Sequence, residues 1–228
     1  MQHYARCGKN NIRSCILILI LGSIVYGNHL QNPFQFDTIV YIVNNHTLDN
    51  VSKILNVNFF KSNIFTNRAL LQVSFALNAY LDGYQTFSYH LVNLILHLIN
   101  SLLVYFITRR IWFYFGSWGG PLQKNDIHAI SLFTAILFLL HPIQTESVTY
   151  TMGRSEVFSG TFYLSAFLLF QILSDKKNPP KTRFKVLALV LVPVIFLLGF
   201  SVKQTLVTLP IILLLYLFFG RQPDSFLI

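Results

Sequence analysis

The residues able to do chemistry in this chain gather in a few short stretches. Phe34-Gln35-Phe36-Asp37 sets one carboxylate among aromatic side chains, where desolvation favours its use as a general base; the same aspartate could instead cap a loop turn. His141-Pro142-Ile143-Gln144-Thr145-Glu146-Ser147-Val148 runs on to Gly153-Arg154-Ser155-Glu156, so one histidine, two carboxylates and one arginine fall within sixteen residues. Arg154 is either half of an interfacial pair with Glu156 or a guanidinium fork for an anionic head group. Lys203 is the lone charge between two long apolar segments; it either snorkels to an interface or offers a point charge to a phosphate. His90, Asn93 and His97 fall on one helical face at i, i+3 and i+7. Without a third strong ligand nearby, they read as a hydrogen-bonding stripe between helices rather than a metal site. No HExxH, Walker or GxGxxG pattern occurs, so metal and nucleotide chemistry have no support in the sequence.

The elements that must position these residues are membrane helices. Of the 228 residues 54% are hydrophobic and 11% charged, whereas a soluble globule needs roughly a quarter charged. Six segments approach the length that crosses a bilayer, about 11–27, 89–108, 127–148, 157–173, 184–202 and 205–219. Pro142 is expected to end the third helix, and residues 201–204 to form a tight re-entry between the last two. The predicted fold class is therefore all-α, a polytopic transmembrane bundle forming a single membrane domain over 1–228. An outer loop covers 28–88 and a second outer loop 142–156. The long loop carries two amphipathic stretches, one with Leu48, Val51, Leu55 and Phe59 behind Thr47, the other from 68 to 80 behind Asn67; both are expected along the membrane surface.

The net charge of +9 is scattered between apolar runs and forms no basic face, which argues against a nucleic-acid partner and for topology. With a cytoplasmic N-terminus, twelve of the 17 basic residues fall on the cytoplasmic side and Lys53, Lys61, Arg68, Arg154 and Lys203 on the other. The basic loops suit a bacterial inner membrane or an endoplasmic reticulum membrane equally. The first segment is read as a retained signal anchor in preference to a cleaved signal, since no small-x-small site follows it. Cys7 and Cys15 offer no disulfide framework.

Read in order, Asn32-Pro33-Phe34-Gln35-Phe36-Asp37, Asn67-Arg68-Ala69-Leu70 and Ser88-Tyr89-His90-Leu91-Val92-Asn93-Leu94-Ile95-Leu96-His97 resemble one family. It is the N-terminal membrane region of the transmembrane and tetratricopeptide-repeat O-mannosyltransferases and their bacterial relatives. The segment from His141 to Glu156 is similar to that family's HPxxTExV…GRxE loop, and Ser201-Val202-Lys203-Gln204-Thr205 through Pro210 to its SKExxxTLP segment. The resemblance implies a GT-C type glycosyltransferase that takes a hexose such as mannose from a polyprenyl- or dolichyl-phosphate carrier and transfers it to Ser or Thr hydroxyls of an acceptor protein on the outer or lumenal face. It implies Asp37 as the catalytic base. Arg68, His141, Glu146, Arg154, Glu156 and Lys203 then bind the lipid phosphate and sugar, with no metal and no other cofactor. Two positions depart from the pattern: Thr38 stands where a second acid is usual, and Gln204 where a glutamate is. Neither a 34-residue period nor a WxxLGxxY-like repeat is present. The expectation is therefore an N-terminal half or truncated product lacking a C-terminal membrane and repeat portion, with a non-catalytic membrane scaffold as the alternative.

Overall fold

The computed structural model describes residues 2–45, 48, 56, 68–115, 123–175 and 179–220, and among them it contains helices and turns but no strand. In chain order the helices are α1 (Gln2–Tyr26), α2 (Ala69–Asp82), α3 (Thr86–Phe115), α4 (Lys124–Leu140), α5 (Gln144–Thr149), α6 (Arg154–Leu173), α7 (Thr182–Phe200) and α8 (Leu209–Gly220). The chain is thus an all-α membrane helix bundle. Among the described residues four helical stretches are long and apolar enough to cross a membrane: Asn10–His29, Thr86–Trp112, Thr151–Leu173 and Thr182–Phe200. The other two expected spans are shorter apolar helices, Asn125–Leu140 and Gln204–Phe219. The third expected segment, 127–148, does not run through. It stops at Leu140 because His141 takes an extended backbone (φ −63°, ψ 130°) ahead of Pro142, and the chain resumes as the separate single turn of α5.

Helix direction follows from the contacts at the two ends. At one end Tyr105 on α3 donates its hydroxyl to Asn11 Oδ1 on α1 (3.0 Å) and meets His128 Nδ1 on α4 at 2.9 Å. At the other, Tyr26 at the end of α1 donates to the Leu139 carbonyl at the end of α4 (3.1 Å). So α1 and α4 run one way and α3 the other. α6 runs with α3, since Asn100 donates to the Val157 carbonyl (2.8 Å) near the start of α6 and Arg110 pairs with Asp175 (3.1 Å) just past its end. α7 returns, and α8 again follows α6, with Tyr216 edge-on to Phe167 and Phe170.

α3 is the central post. At 30 residues it is about 45 Å long, and 44% of its spanning window is buried against 11% for α7. Its inward face carries the polar stripe expected from the sequence. His90 Nε2 donates to the Asn32 carbonyl and His97 Nε2 to that of Leu139, both at 3.0 Å. These are interhelical bonds to backbone carbonyls. Leu139 lies in the last turn of α4, where carbonyls lack an intrahelical partner, so Tyr26 and His97 together satisfy the end that Pro142 creates.

Apolar contacts form two clusters. The first joins Ile18, Tyr26, Leu94, Leu98, Tyr105, Ala135, Leu139, Val148 and Val157 along the bundle axis. The second gathers Ile42, Leu48, Leu71, Val73, Phe75, Ala76, Tyr89 and Val202, with Phe34 packed against them. α2 is amphipathic as expected, but its apolar face docks on the bundle through this second cluster. Of the first amphipathic stretch, only Leu48 lies within the described residues, and it is buried. Thr47, Val51, Leu55, Phe59 and Asn67 lie outside them.

Candidate functional site

The polar residues collect at the end of the bundle where α1 and α4 finish and α6 begins. After α1 the chain passes through Gly27–His29 and an extended stretch to Phe36, whose backbone is left-handed (φ 50°). That conformation costs a bulky residue on the order of 1 kcal/mol or more, and here it re-aims the chain into the turn Asp37-Thr38 and a wide helical turn at Ile39–Val43. Ile42 and Phe34 anchor this segment in the second apolar cluster. Asp37 itself is exposed. The aromatic ring next to it does not fold over it: Phe36 is itself 79% exposed and edges against Tyr150 at 6.2 Å.

Between this segment and the α4–α6 connection lies a cleft of about 460 Å³, lined by Asn32, Pro33, Gln35, Phe36, His90, Glu146, Thr149, Tyr150 and Thr151. Its chemistry is mainly hydrogen-bonding, with two side-chain amides, three hydroxyls, one imidazole, two aromatic rings and one carboxylate. Among the described residues no Lys or Arg lines it. Glu146 is thus the acid that faces the cleft, and Asp37 follows directly on the lining residue Phe36.

The cleft wall at 148–151 is held from behind by Asn93 on α3. Its Nδ2 donates to the carbonyls of Tyr150 at 3.0 Å and of Val148 and Thr151 at 3.4 Å. Asn93 Oδ1 in turn accepts from Arg154 Nε at 3.0 Å. Arg154 is fully buried. Its Nη1 donates to Asn78 Oδ1 (2.6 Å) and to the Ser74 carbonyl (3.2 Å), both on α2, and its Nη2 to the Tyr89 carbonyl (2.8 Å). The guanidinium carbon lies 4.5 Å from the Phe75 ring centroid and 5.5 Å from that of Tyr89, the geometry of a cation–π contact. Both readings made from the sequence are therefore corrected. Arg154 neither pairs with Glu156 nor faces an outside anion, because every nitrogen of its fork is engaged inside the protein.

Gly153, just before Arg154, is required by the same packing. A Cβ there would lie 2.8 Å from the carbonyl oxygens of both Glu146 and Ser147. Those are backbone atoms of α5 and cannot rotate away. Gly153→Ala is expected to cost about 1–3 kcal/mol, as overpacking does, and to push out the turn that carries Glu146. Thermal unfolding in detergent checks it; a melting temperature equal to the parent's would remove this role.

The other expected site residues are more open. Glu156, in the first turn of α6, forms an ion pair with Lys203, which is held in the turn between α7 and α8. His141 is exposed and accepts the Ile143 N–H at Nδ1 (3.2 Å). Arg68 is exposed at the start of α2 with a left-handed backbone (φ 50°). The residues that sequence reading missed are Asn32, Gln35, Thr149, Tyr150 and Thr151 in the cleft and Ser74 and Asn78 under Arg154. Ser74 and Asn78 carried a visible signal, being polar residues four apart, and so on one face, in a mainly apolar helix. Among the described residues no group of three or more His, Cys, Asp or Glu side chains is placed to hold a metal ion.

An apolar helical bundle with a polar, hydrogen-bonding cleft at one end defines a multi-helix membrane protein with its site at the rim. Among characterised proteins the chain is similar to protein O-mannosyl-transferases. It is 29% identical to protein O-mannosyl-transferase TMTC1 of Homo sapiens over 180 residues, which is 75% of this chain and 19% of that protein. It is 28% identical over 212 residues to protein O-mannosyl-transferase F38B6.6 of Caenorhabditis elegans, 89% of this chain and 28% of the relative. With protein O-mannosyl-transferase TMTC3 of Mus musculus it shares 29% over 167 residues, 69% of this chain and 17% of the relative. The family resemblance read from the motifs is borne out by these relatives. The chain spans less than a third of the length of the curated relatives named here. No protein-family model and no solved structure matches it.

Proposed function

We propose that this chain forms the membrane part of an O-glycosyltransferase that moves a hexose, mannose by its relatives, from a polyprenyl-phosphate carrier to a Ser or Thr hydroxyl of an acceptor protein. The observation that carries this reading is the cleft beside Asp37. It is rich in amides and hydroxyls and flanked by aromatic rings, a lining suited to a polyhydroxyl ligand, with one carboxylate inside and a second at its edge. In the reaction the acceptor oxygen attacks the anomeric carbon as its proton passes to the Asp37 carboxylate, the base that a weak hydroxyl nucleophile needs. The bond from the anomeric carbon to the phosphate oxygen breaks, the configuration inverts, and polyprenyl phosphate leaves with the electron pair. The leaving phosphate needs cationic stabilisation, for which Lys203 and Arg68 are the candidates. Arg154 acts from inside, as the pin that holds Asn93 and hence the cleft wall.

Charge supports one side of the membrane for the site. Arg109, Arg110, Lys181, Arg183 and Lys185 belong to the opposite end of the bundle, and the rule that basic loops are retained favours a cleft on the outer or lumenal face and an N-terminus in the cytoplasm. The test is direct: the chain in nanodiscs, given polyprenyl-phosphate mannose and a Ser/Thr-bearing peptide, should yield O-mannosylated peptide by mass spectrometry. Absence of product both from this chain alone and from a longer protein containing it would end the assignment.

A further inference from the structure

Arg68, Arg154 and Lys203 are the described cations at the cleft end, and they are not equivalent. Arg154 is buried and engaged, while Arg68 sits exposed at the tip of α2. Lys203 differs from both in being firmly seated yet accessible. Its neighbours Ser201, Val202 and Leu206 are buried, and its N–H donates to the Gly199 carbonyl at 3.0 Å. Gly199 permits this tight turn: a Cβ there would lie 2.6 Å from Phe162 Cβ on α6 and 2.3 Å from Leu206 Cδ2. From that fixed base the Lys203 side chain, 23% exposed, reaches Glu156, whose side chain is 48% exposed.

From these contacts we propose that Glu156 is a displaceable counter-ion: it occupies Lys203 in the empty protein and yields it to the phosphate of an incoming ligand. The inference deepens the proposed function and rests on it for the identity of that ligand as a lipid phosphate. Three observations carry it. Neither side chain is buried, Lys203 being 23% and Glu156 48% exposed, and ion pairs outside the core are weak, so a phosphate bearing more charge and more acceptor oxygens competes successfully. Glu156 lies in the first turn of α6, where the helix dipole favours a carboxylate whether or not Lys203 is bound, so its release leaves no destabilised anion. Finally, Val202 belongs to the same apolar cluster as Ile42 and Phe34, so the turn presenting Lys203 and the segment presenting Asp37 are seated on one core. A phosphate held at Lys203 therefore stays in fixed register with the cleft. Until it arrives, Glu156 keeps the cation from recruiting other anions.

The test uses the full chain in nanodiscs and farnesyl phosphate as probe, with farnesol and inorganic phosphate as comparison ligands. Glu156→Gln should tighten farnesyl phosphate binding roughly two- to fivefold at low salt, the range an exposed ion pair spans, and the gain should shrink at high salt. Lys203→Gln should weaken binding roughly tenfold, the loss of one charge-assisted contact, and Lys203→Arg should retain it. In the Lys203→Gln background, Glu156→Gln should have no further effect. Farnesol should not respond to either substitution. Inorganic phosphate responding as strongly as farnesyl phosphate would place the ligand's source in solution and leave the displaceable pair standing. Unchanged or weakened binding in Glu156→Gln overturns the proposal, as does a gain that persists without Lys203 or the absence of binding in every variant. Because binding is read without turnover, a chain that binds as expected while neither it nor a longer protein containing it transfers sugar would sink the proposed function alone.

Discussion

Asp37→Asn is expected to lower sugar transfer roughly 10²- to 10⁴-fold, the contribution of a positioned general base, with membrane insertion, melting temperature and farnesyl phosphate binding unchanged. The structure makes this a clean substitution. Asp37 is exposed, and its carboxylate makes no hydrogen bond or ion pair to any of the described residues, so asparagine removes basicity without breaking a contact among them. Neighbouring anchors are untouched, since Ile42 and Phe34 hold the segment from within the core. The informative comparison is Glu146→Gln. Glu146 lines the cleft whereas Asp37 stands at its edge, and a carboxylate that binds a sugar hydroxyl without taking its proton should, when neutralised, raise the donor KM more than it lowers kcat. Initial rates over a range of donor concentrations separate the two. If Glu146→Gln abolishes kcat while Asp37→Asn leaves it within a few-fold of the parent, the roles must be exchanged.

Local patterns in this chain reported local structure well. The polar stripe His90, Asn93 and His97 depends only on 3.6-residue periodicity, and it does face neighbouring backbone, as His90 and His97 show with their bonds to Asn32 and Leu139. Pro142 ends α4 for a reason that lies within two residues. The apolar runs mark the helices, although helix ends are set by partners, so α3 begins earlier at Thr86 and α8 later at Leu209 than hydropathy alone implies. What periodicity could not show is pairing across long separations. Arg154 is adjacent in sequence to Glu156 and to the loop, which made an interfacial role natural. Its actual acceptors, Ser74, Asn78, Tyr89 and Asn93, come from 61 to 80 residues away. Glu156 and Lys203 are 47 residues apart, and no spacing rule links them. The surroundings of Asp37 show a second limit: aromatic neighbours in sequence cover a carboxylate only when they fold over it, and the left-handed turn at Phe36 leaves that ring exposed.

Arg154→Met should be the most destabilising single substitution at this end of the bundle, by about 3–5 kcal/mol, comparable to stripping one partner from a buried charge network. Methionine fills much of the volume but donates nothing. Asn93 Oδ1, Asn78 Oδ1 and the carbonyls of Ser74 and Tyr89 would lose their shared donor at once, and each buried acceptor left unpaired costs about 1–3 kcal/mol before relaxation. Arg154→Lys keeps the charge but replaces a planar fork with a point charge; it cannot span α2, Asn93 and the Tyr89 carbonyl together, nor lie flat against Phe75. It should recover less than half of the loss. Unfolding in mixed micelles measures both effects, and proteolysis of α2 localises them, because α2 owes two of the four acceptors and the Phe75 ring to this contact. If Arg154→Met unfolds within about 1 kcal/mol of the parent, below the range for a broken buried network, α2 is held by its apolar face alone. A large loss with early cleavage in α2 would instead mean that the outer helix, Asn93 and the cleft wall are positioned by one cation. In that case the arginine serves the site without touching its ligand, which explains why a residue placed beside two candidate acids in the sequence points away from both.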